Sequence, residues 1–401
     1  MTSSDWMQRQ ALINWQMVPQ TGWGNYGIQL AQYLVSREVA FPVTPFVPSL
    51  SPSCDFQWRE LAAEITFESL KYRQLVEGGF PPTRVECEYV FNAQGNALEE
   101  RLFVGKYNIA IIFFEHTLLD VGLLEGLADF DLVVAGSSWN SSLLMRNGLS
   151  NVIRIIQGVD LSKFNSVSVP KVIKRPFVIY SGGKLELRKG QDIIISAFRE
   201  FLKVCPDALL VACWINSGNS FGGISLSPYV EGAPDDGTAP AILEWLLQQG
   251  IPARNLLIPG WLTACHLPGL IKQADVAIFP NRCEGGTNLV AMEAIACGVP
   301  AILSANTGHL DLLRLGFSGV EAVGVDGIGN VPQAVSSLYG NGDPLGFWGE
   351  VDPDELLQAM IVAYEAKEES CKFGAQCLLD RHQVLGWGNT MDKLFAAIRS
   401  V

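Results

Sequence analysis

The chain has 401 residues, 48% of them hydrophobic, enough on length alone for about two to three domains with full cores. Its 28 basic and 41 acidic side chains leave a formal charge of −13. Such a surface repels nucleic acid and anionic lipid, although a local basic patch can still hold an anion.

The opening "MTSSDWMQRQ" lacks a basic n-region and an apolar h-region, so no secretory leader is predicted. Apolar runs such as "IAIIFF" are too short to span a bilayer. The expectation is a cytoplasmic protein without a transmembrane segment. Nine cysteines, at 54, 87, 205, 213, 265, 283, 297, 371 and 377, form no CxxC pair and point to reduced, buried thiols.

In chain order, strands are predicted at 11–17, 108–115, 131–136 and 151–156, with helices near 25–36, 121–128 and 138–147. The polar stretch "NSVSVPKVIKRP" (165–176) reads as a linker. Beyond it, strands are predicted at 177–182, 208–215, 255–260, 275–280 and 299–304, helices at 190–204, 240–249, 266–273 and 288–297, and a final amphipathic helix from 387. These strands do not alternate, so both of their faces are buried. Helices between them imply right-handed βαβ units on parallel sheets. The predicted fold class is α/β, with two doubly wound Rossmann-like domains facing across a cleft. The domains run over 1–168 and 169–385, and a terminal helix (386–401) packs back on the first. The Gly/Ser/Pro-rich loop at 216–239 is long enough to be functional or disordered.

Four stretches carry chemistry. The first, "TGWGNYG" (21–27), sets Gly22, Gly24 and Gly27 in GxGxxG order after the first strand. No acidic residue follows at the distance a nicotinamide dinucleotide requires, so that cofactor is not expected. The second, "FFEHT" (113–117), puts Glu115 and His116 at a strand's C-terminal end, where α/β sheets bind ligands. The third, "SGGKLELRKG" (181–190), gathers Lys184, Arg188 and Lys189 at another strand end, a charge suited to a diphosphate.

The fourth is "NRCEGGTNLVAMEAIACGVP" (281–300). Gly285 and Gly286 permit φ > 0 and a close approach of backbone to ligand. Thr287 or Asn288 can cap the following helix, whose N-terminal amides suit a phosphate, and Cys297-Gly298 closes it. Glu293, one and a half turns in, can accept hydrogen bonds from ribose hydroxyls, and Glu284 can hold sugar hydroxyls or face developing positive charge. No histidine pair or acidic pair has metal-ligand spacing, so no metal is expected. No GxSxG elbow occurs.

Together these stretches resemble retaining glycosyltransferases of the GT-B fold, specifically glycosyltransferase family 4. "GKLELRKG" is similar to the family's G-R-L-x-x-x-K-G, with Lys184 at the arginine position and Lys189 at the lysine. "EGGTNLVAMEAIACGVPAI" is similar to its E-x7-E stretch and A-x-A-C-G-x-P, and "IIQGVDLSKF" (155–164) to its N-G-V-D-x-x-x-F segment. The resemblance implies that Lys184 and Lys189 hold the donor diphosphate and that Glu284 contacts the donor sugar. It also implies diphosphate or sugar contacts from the amides of Gly286, Thr287 and Asn288, and ribose binding by Glu293. His116 would line the catalytic centre, and Gly22 and Gly24 would approach the donor phosphate. Two departures stand out: eight residues separate Glu284 from Glu293 instead of seven, and a lysine at 184 lacks the bidentate fork of arginine.

The expected activity is transfer of a sugar from a nucleotide-sugar donor to an acceptor hydroxyl, with retention and without metal or cofactor. A GT-B epimerase or phosphorylase, or a non-catalytic sugar-nucleotide-binding subunit, are the alternatives. The first 169 residues hold 11 basic against 17 acidic residues, which favours a soluble acceptor over an anionic membrane.

Overall fold

In the computed structural model of the chain, residues 8–50, 55–80, 83–94, 101–216, 221–325, 327–339, 346–367 and 383–401 are described. Cys54, Cys371, Cys377 and His382 lie outside them. The chain divides into two compact units. One comprises Met1–Phe113, Leu119–Gln157 and Trp387–Val401, the other Phe114–Leu118 and Gly158–Gly386.

In the first unit the strands are β1 (Gln10–Asn14), β2 (Phe41–Val43), β3 (Thr83–Arg84), β4 (Tyr89–Ala93), β5 (Phe103–Val104), β6 (Tyr107–Ile112), β7 (Leu132–Ala135) and β8 (Val152–Arg154). Six form a parallel sheet in the order β2-β1-β4-β6-β7-β8, and β3 pairs with β5. The runs "ALI", "IAII" and "LVVA" are buried along their whole length, as two-sided burial demands. The terminal helix Trp387–Ile398 belongs to this unit. Phe395 stacks on Tyr33 at 5.4 Å, Trp387 meets Tyr26 edge-on, and the Tyr33 hydroxyl donates to Asp392 Oδ1 at 2.7 Å.

The second unit holds β9 (Val178–Lys184), β10 (Leu209–Ile215), β11 (Leu256–Leu257), β12 (Val276–Phe279), β13 (Ala301–Ser304), β14 (Val320–Val323), β15 (Ile328–Asn330) and β16 (Phe347–Gly349). Its main sheet runs β11-β10-β9-β12-β13-β14, all parallel, and β15 pairs antiparallel with β16. This is the dinucleotide-fold order 3-2-1-4-5-6, whose direction reverses between the first and fourth strands. The reversal here lies between β9 and β12, so the segments following Lys184 and Phe279 are neighbours.

The predicted strands and helices of 108–156 and 177–304 are present with ends shifted by a few residues. Sequence reading missed β4, β14, the helices Phe56–Glu68, Leu70–Glu77 and Pro353–Glu365, and the β15–β16 hairpin. In the predicted loop at 216–239, the described part packs inward, burying Ile224 and Val230 in the core of the second unit. Gly237 lies so close to the Asn216 carbonyl that a Cβ there would sit 1.8 Å from its oxygen. Six described cysteines are free thiols. Of these, 87, 205, 283 and 297 are buried. Among the described residues no helix is long and apolar enough to cross a membrane.

Candidate functional site

The segment after β9 and the segment after β12 are tied together by backbone. Arg282 N donates to the Arg188 carbonyl at 2.7 Å, and Cys283 N to the same oxygen at 3.2 Å. The predicted strand ends at Gly182, with Gly183 after it. Instead β9 continues through both glycines to Lys184, and the turn is the 3-10 segment Leu187–Lys189 followed by Gly190. A Cβ on Gly182 would meet the Tyr180 hydroxyl at 2.5 Å and Val290 at 2.9 Å, so this strand position is packed too closely for a side chain. Gly190 is left-handed (φ 73°) and lies against the Pro280 carbonyl.

This turn aims Arg188 and Lys189 at one carboxylate. Lys189 Nζ is 2.5 Å from Glu284 Oε1, and Arg188 Nη1 is 3.6 Å from Glu284 Oε2. Arg188 also reaches Glu115 Oε1 at 3.7 Å and Glu186 Oε2 at 3.0 Å. Asn281 Nδ2 donates to Glu284 Oε1 as well. All of these groups are largely buried except Glu115: side-chain exposure is 14% for Lys189, 11% for Arg188 and 7% for Glu284. Burial alone would raise the Glu284 carboxyl, but the charges of Lys189 and Arg188 outweigh it and hold the group below the usual glutamate range. Lys184 stands exposed at the end of β9, and its carbonyl accepts from Gln191 Nε2.

The helix Leu289–Ala296 starts beside this cluster. Asn288 caps it, its Oδ1 accepting from Ala291 N at 3.4 Å. The positive φ expected at Gly285 and Gly286 falls on Asn288 instead (59°). The glycines serve close approach. A Cβ on Gly285 would lie 2.8 Å from Phe114 N and 2.7 Å from its carbonyl oxygen, and one on Gly308 would meet the Gly286 carbonyl. Thr287 is fully buried, its hydroxyl directed at Met292 Sδ (2.9 Å), so Asn288 alone caps.

Three residues that sequence reasoning left without a role support this turn. Asn281 holds Glu284. His309 is fully buried, with Nε2 facing Asn288 Nδ2 at 3.0 Å and Nδ1 facing Ser304 Oγ at 2.9 Å. Because the Asn288 Nδ2 can only donate, Nε2 accepts and the proton sits on Nδ1, while Ser304 Oγ donates onward to the Asn281 carbonyl. Burial lowers the His309 pKa to about 4, so the ring stays neutral at physiological pH. Arg282, buried behind the turn, is the third. A histidine just past the end of β13 was the one legible signal among them.

Sequence reasoning expected His116 and Glu284 to come from opposite domains. Phe114–Leu118 instead belongs to the second unit, because the apolar and backbone surfaces around it do. Cys283 Sγ donates to the Glu115 carbonyl, and Trp348 Nε1 donates to the same oxygen at 2.6 Å. His116 packs on Phe114, and burial lowers its pKa below the usual value while Glu115 opposes the shift, leaving a neutral imidazole.

Glu293 is the second correction in chemical detail. It is half-buried by accessible surface but deeply surrounded by protein, and burial first, then Asp160, push its carboxyl up to about 8. At neutral pH it is largely a protonated acid, which can donate as well as accept. The unfolded chain loses this proton near the ordinary glutamate value and the folded chain near 8. The group therefore favours folding at low pH, and its contribution is lost as pH rises through that window. Wild-type stability relative to Glu293→Gln should fall between about pH 4.5 and 8, by at most about 1.4 kcal/mol per pH unit. Melting temperatures of both proteins across that range check this, and parallel profiles would refute it.

Gly22 and Gly24 lie in the first unit, inside the helix Gly22–Ser36 that Thr21 caps. A Cβ on Gly24 would meet the Val18 carbonyl at 1.9 Å, and one on Gly27 would meet Trp15 and Met17. At Gly24 and Gly27 the missing side chains let the helix lie on the loop after β1, a packing role independent of any ligand. No group of three potential metal ligands comes together among the described residues.

Known proteins share parts of this arrangement. Residues 163–323 match the family Glycosyl transferases group 1, and they contain the whole Lys184–Glu293 arrangement. The fold is that of GT-B glycosyltransferases. Sucrose-phosphate synthase of Thermosynechococcus elongatus superposes with a TM-score of 0.62 at 15% identity, over 98% of this chain and 99% of that one. The Anabaena protein HepE, solved with UDP-glucose, also superposes at 0.62, with 13% identity over 98% and 100%.

In particular, the chain is similar in sequence to a GDP-mannose-dependent alpha-(1-6)-phosphatidylinositol monomannoside mannosyltransferase of Mycolicibacterium smegmatis. The two are 30% identical over 170 residues, which are 41% of this chain and 38% of that protein. The match thus spans well under half of that relative's length.

Proposed function

We propose that the protein transfers a sugar from a nucleoside diphosphate sugar to an acceptor hydroxyl, with retention of configuration, as a member of glycosyltransferase family 4. The observation that carries the reading is the pairing of two buried cations, Arg188 and Lys189, with Glu284 at the switch point between β9 and β12. The capped helix Leu289–Ala296 adds the positive end of its dipole beside them. Two cations and a helix N-terminus match a leaving diphosphate, and in this reading they do the electrostatic work a metal does elsewhere. Glu284 faces the donor sugar, Glu293 the ribose, and His116 the reacting centre. The acceptor attacks from the face the diphosphate leaves, so no protein nucleophile is needed. Relatives and fold neighbours named for GDP-mannose and UDP-glucose support a guanosine or uridine diphosphate sugar as donor. Their acceptors differ, and the acidic first segment favours a soluble one.

Lys189→Ala tests the reading. Hydrogen bonds to a charged group are worth about 1.5–3 kcal/mol, so affinity for the nucleoside diphosphate should fall about 10- to 100-fold. Calorimetry with UDP and GDP, beside a melting curve for each protein, gives the result. Parental affinity in a folded Lys189→Ala protein would remove the diphosphate from this site.

A further inference from the structure

Counting charges at the switch point exposes a conflict. Arg188 and Lys189 carry two positive charges, and Glu115, Glu186 and Glu284 carry three negative ones within 4 Å of them. A diphosphate brought to this cluster meets a net negative charge, not a waiting positive one. Protonation does not relieve it at Glu284, whose carboxyl is held in its ionised form. One of the carboxylates must leave the cations for a phosphate to enter.

Geometry selects which one. Among the ion pairs of the described residues, only Glu284 touches both cations, one with each oxygen. Glu186 and Glu115 each touch Arg188 alone. Glu284 is also the group with another partner waiting in the donor sugar. Lysine suits the exchange, because its ammonium is a point charge on a flexible stem and has no fixed fork to realign.

We infer that Glu284 is an internal competitor of the donor: its carboxylate occupies the diphosphate position on Lys189 and Arg188, and donor binding displaces it toward the sugar. The inference rests on the donor reading above. It couples the two halves of the donor, since diphosphate that reaches the lysine frees the carboxylate that holds the sugar. A nucleoside diphosphate without its sugar meets the competition without that compensation. Product is thereby bound less tightly than the intact donor, which favours its release.

The competition has a sign opposite to that of an ordinary binding residue. Glu284→Gln should bind inorganic pyrophosphate, UDP or GDP more tightly than the parent, by about tenfold, the size of a modest coupling between sites. Glu186→Gln removes an equal charge from the same arginine without freeing Lys189, and should change affinity less than about twofold. Glu284→Asp retains the charge and shortens the reach. It should also tighten pyrophosphate binding, by a smaller factor, and it guards against a glutamine variant that fails to fold.

Calorimetry on the full chain with pyrophosphate, UDP and GDP decides the matter. Unchanged or weaker binding in Glu284→Gln and Glu284→Asp, with the parent binding normally, overturns the competition and leaves the donor reading intact. Equal tightening in Glu186→Gln and Glu284→Gln means a general field effect and also overturns it. If the parent and all three variants bind none of the diphosphates, the donor reading itself fails and the inference falls with it.

Discussion

Glu284→Ala and His116→Ala are each expected to lower kcat by about 10²–10³-fold, as removal of a single electrostatic group from a reacting centre does. The two residues lie in one compact unit. The Gly285 backbone packs against Phe114, and Arg188 bridges Glu115 and Glu284. Burial keeps His116 neutral and the adjacent cations keep Glu284 ionised, so the pair offers one neutral imidazole and one fixed negative charge. Fixed charge is effective where water is excluded, and Glu284 is 7% exposed in its side chain. The opposing account makes both residues packing elements. Their loss would then lower the melting temperature and leave turnover per folded molecule nearly unchanged. Measuring kcat and melting temperature on the same preparations separates the accounts, and a stable variant with parental turnover at either position takes that residue out of the mechanism.

The sheets were legible because their strands are uninterrupted apolar runs. "FVIYSG", "ALLVACWI" and "DVAIFP" are buried on both faces, and no other element type fits runs so short and so apolar. Illegible strands were those whose burial comes from neighbours. β14, "VEAV", is half exposed at the sheet edge. The helices at 56–77 carry exposed Phe56, Phe67 and Leu70 beside charges, a pattern with weak helical contrast.

The site divides in the same way. Lys189 was legible from the cationic turn after β9, and Glu284, the capping Asn288 and Glu293 from the single strand–turn–helix after β12. What could not be read was pairing across long separations. Lys189 and Glu284 are 95 residues apart, and Asn288 and His309 are 21 apart. Nor could sequence show that the "cation site" is already neutralised, since that depends on how three carboxylates from different segments converge. The raised Glu293 carboxyl is a property of burial, which spacing does not reveal.

Arg282→Met should cost about 3–5 kcal/mol of stability, the largest structural effect expected of a single substitution here. Arg282 is 6% exposed in its side chain, and its partner Asp192 is fully buried. The guanidinium grips Asp192 with both terminal nitrogens at 2.8 Å, donates from Nε to Glu350 Oε2 at 2.8 Å, and donates from Nη1 to the Leu187 carbonyl at 2.7 Å. Ser227 adds a hydrogen bond to Asp192 Oδ2 at 2.6 Å. Methionine fills much of the volume but leaves Asp192 charged, buried and facing an apolar chain. It also unties Leu187, the first residue of the turn that presents Arg188 and Lys189. A stability loss of this size lowers the melting temperature by roughly 6–20 °C, at about 2–4 °C per kcal/mol for a unit of this length. Arg282→Lys keeps the charge without the planar fork and should fall between parent and methionine variant. Combining Arg282→Met with Asp192→Leu removes both buried charges and should recover most of the loss. Donor affinity should stay low in that double variant, because the Leu187 anchor is still missing. An Arg282→Met protein melting within about 2 °C of the parent would mean that the pair is not what holds the turn against β12.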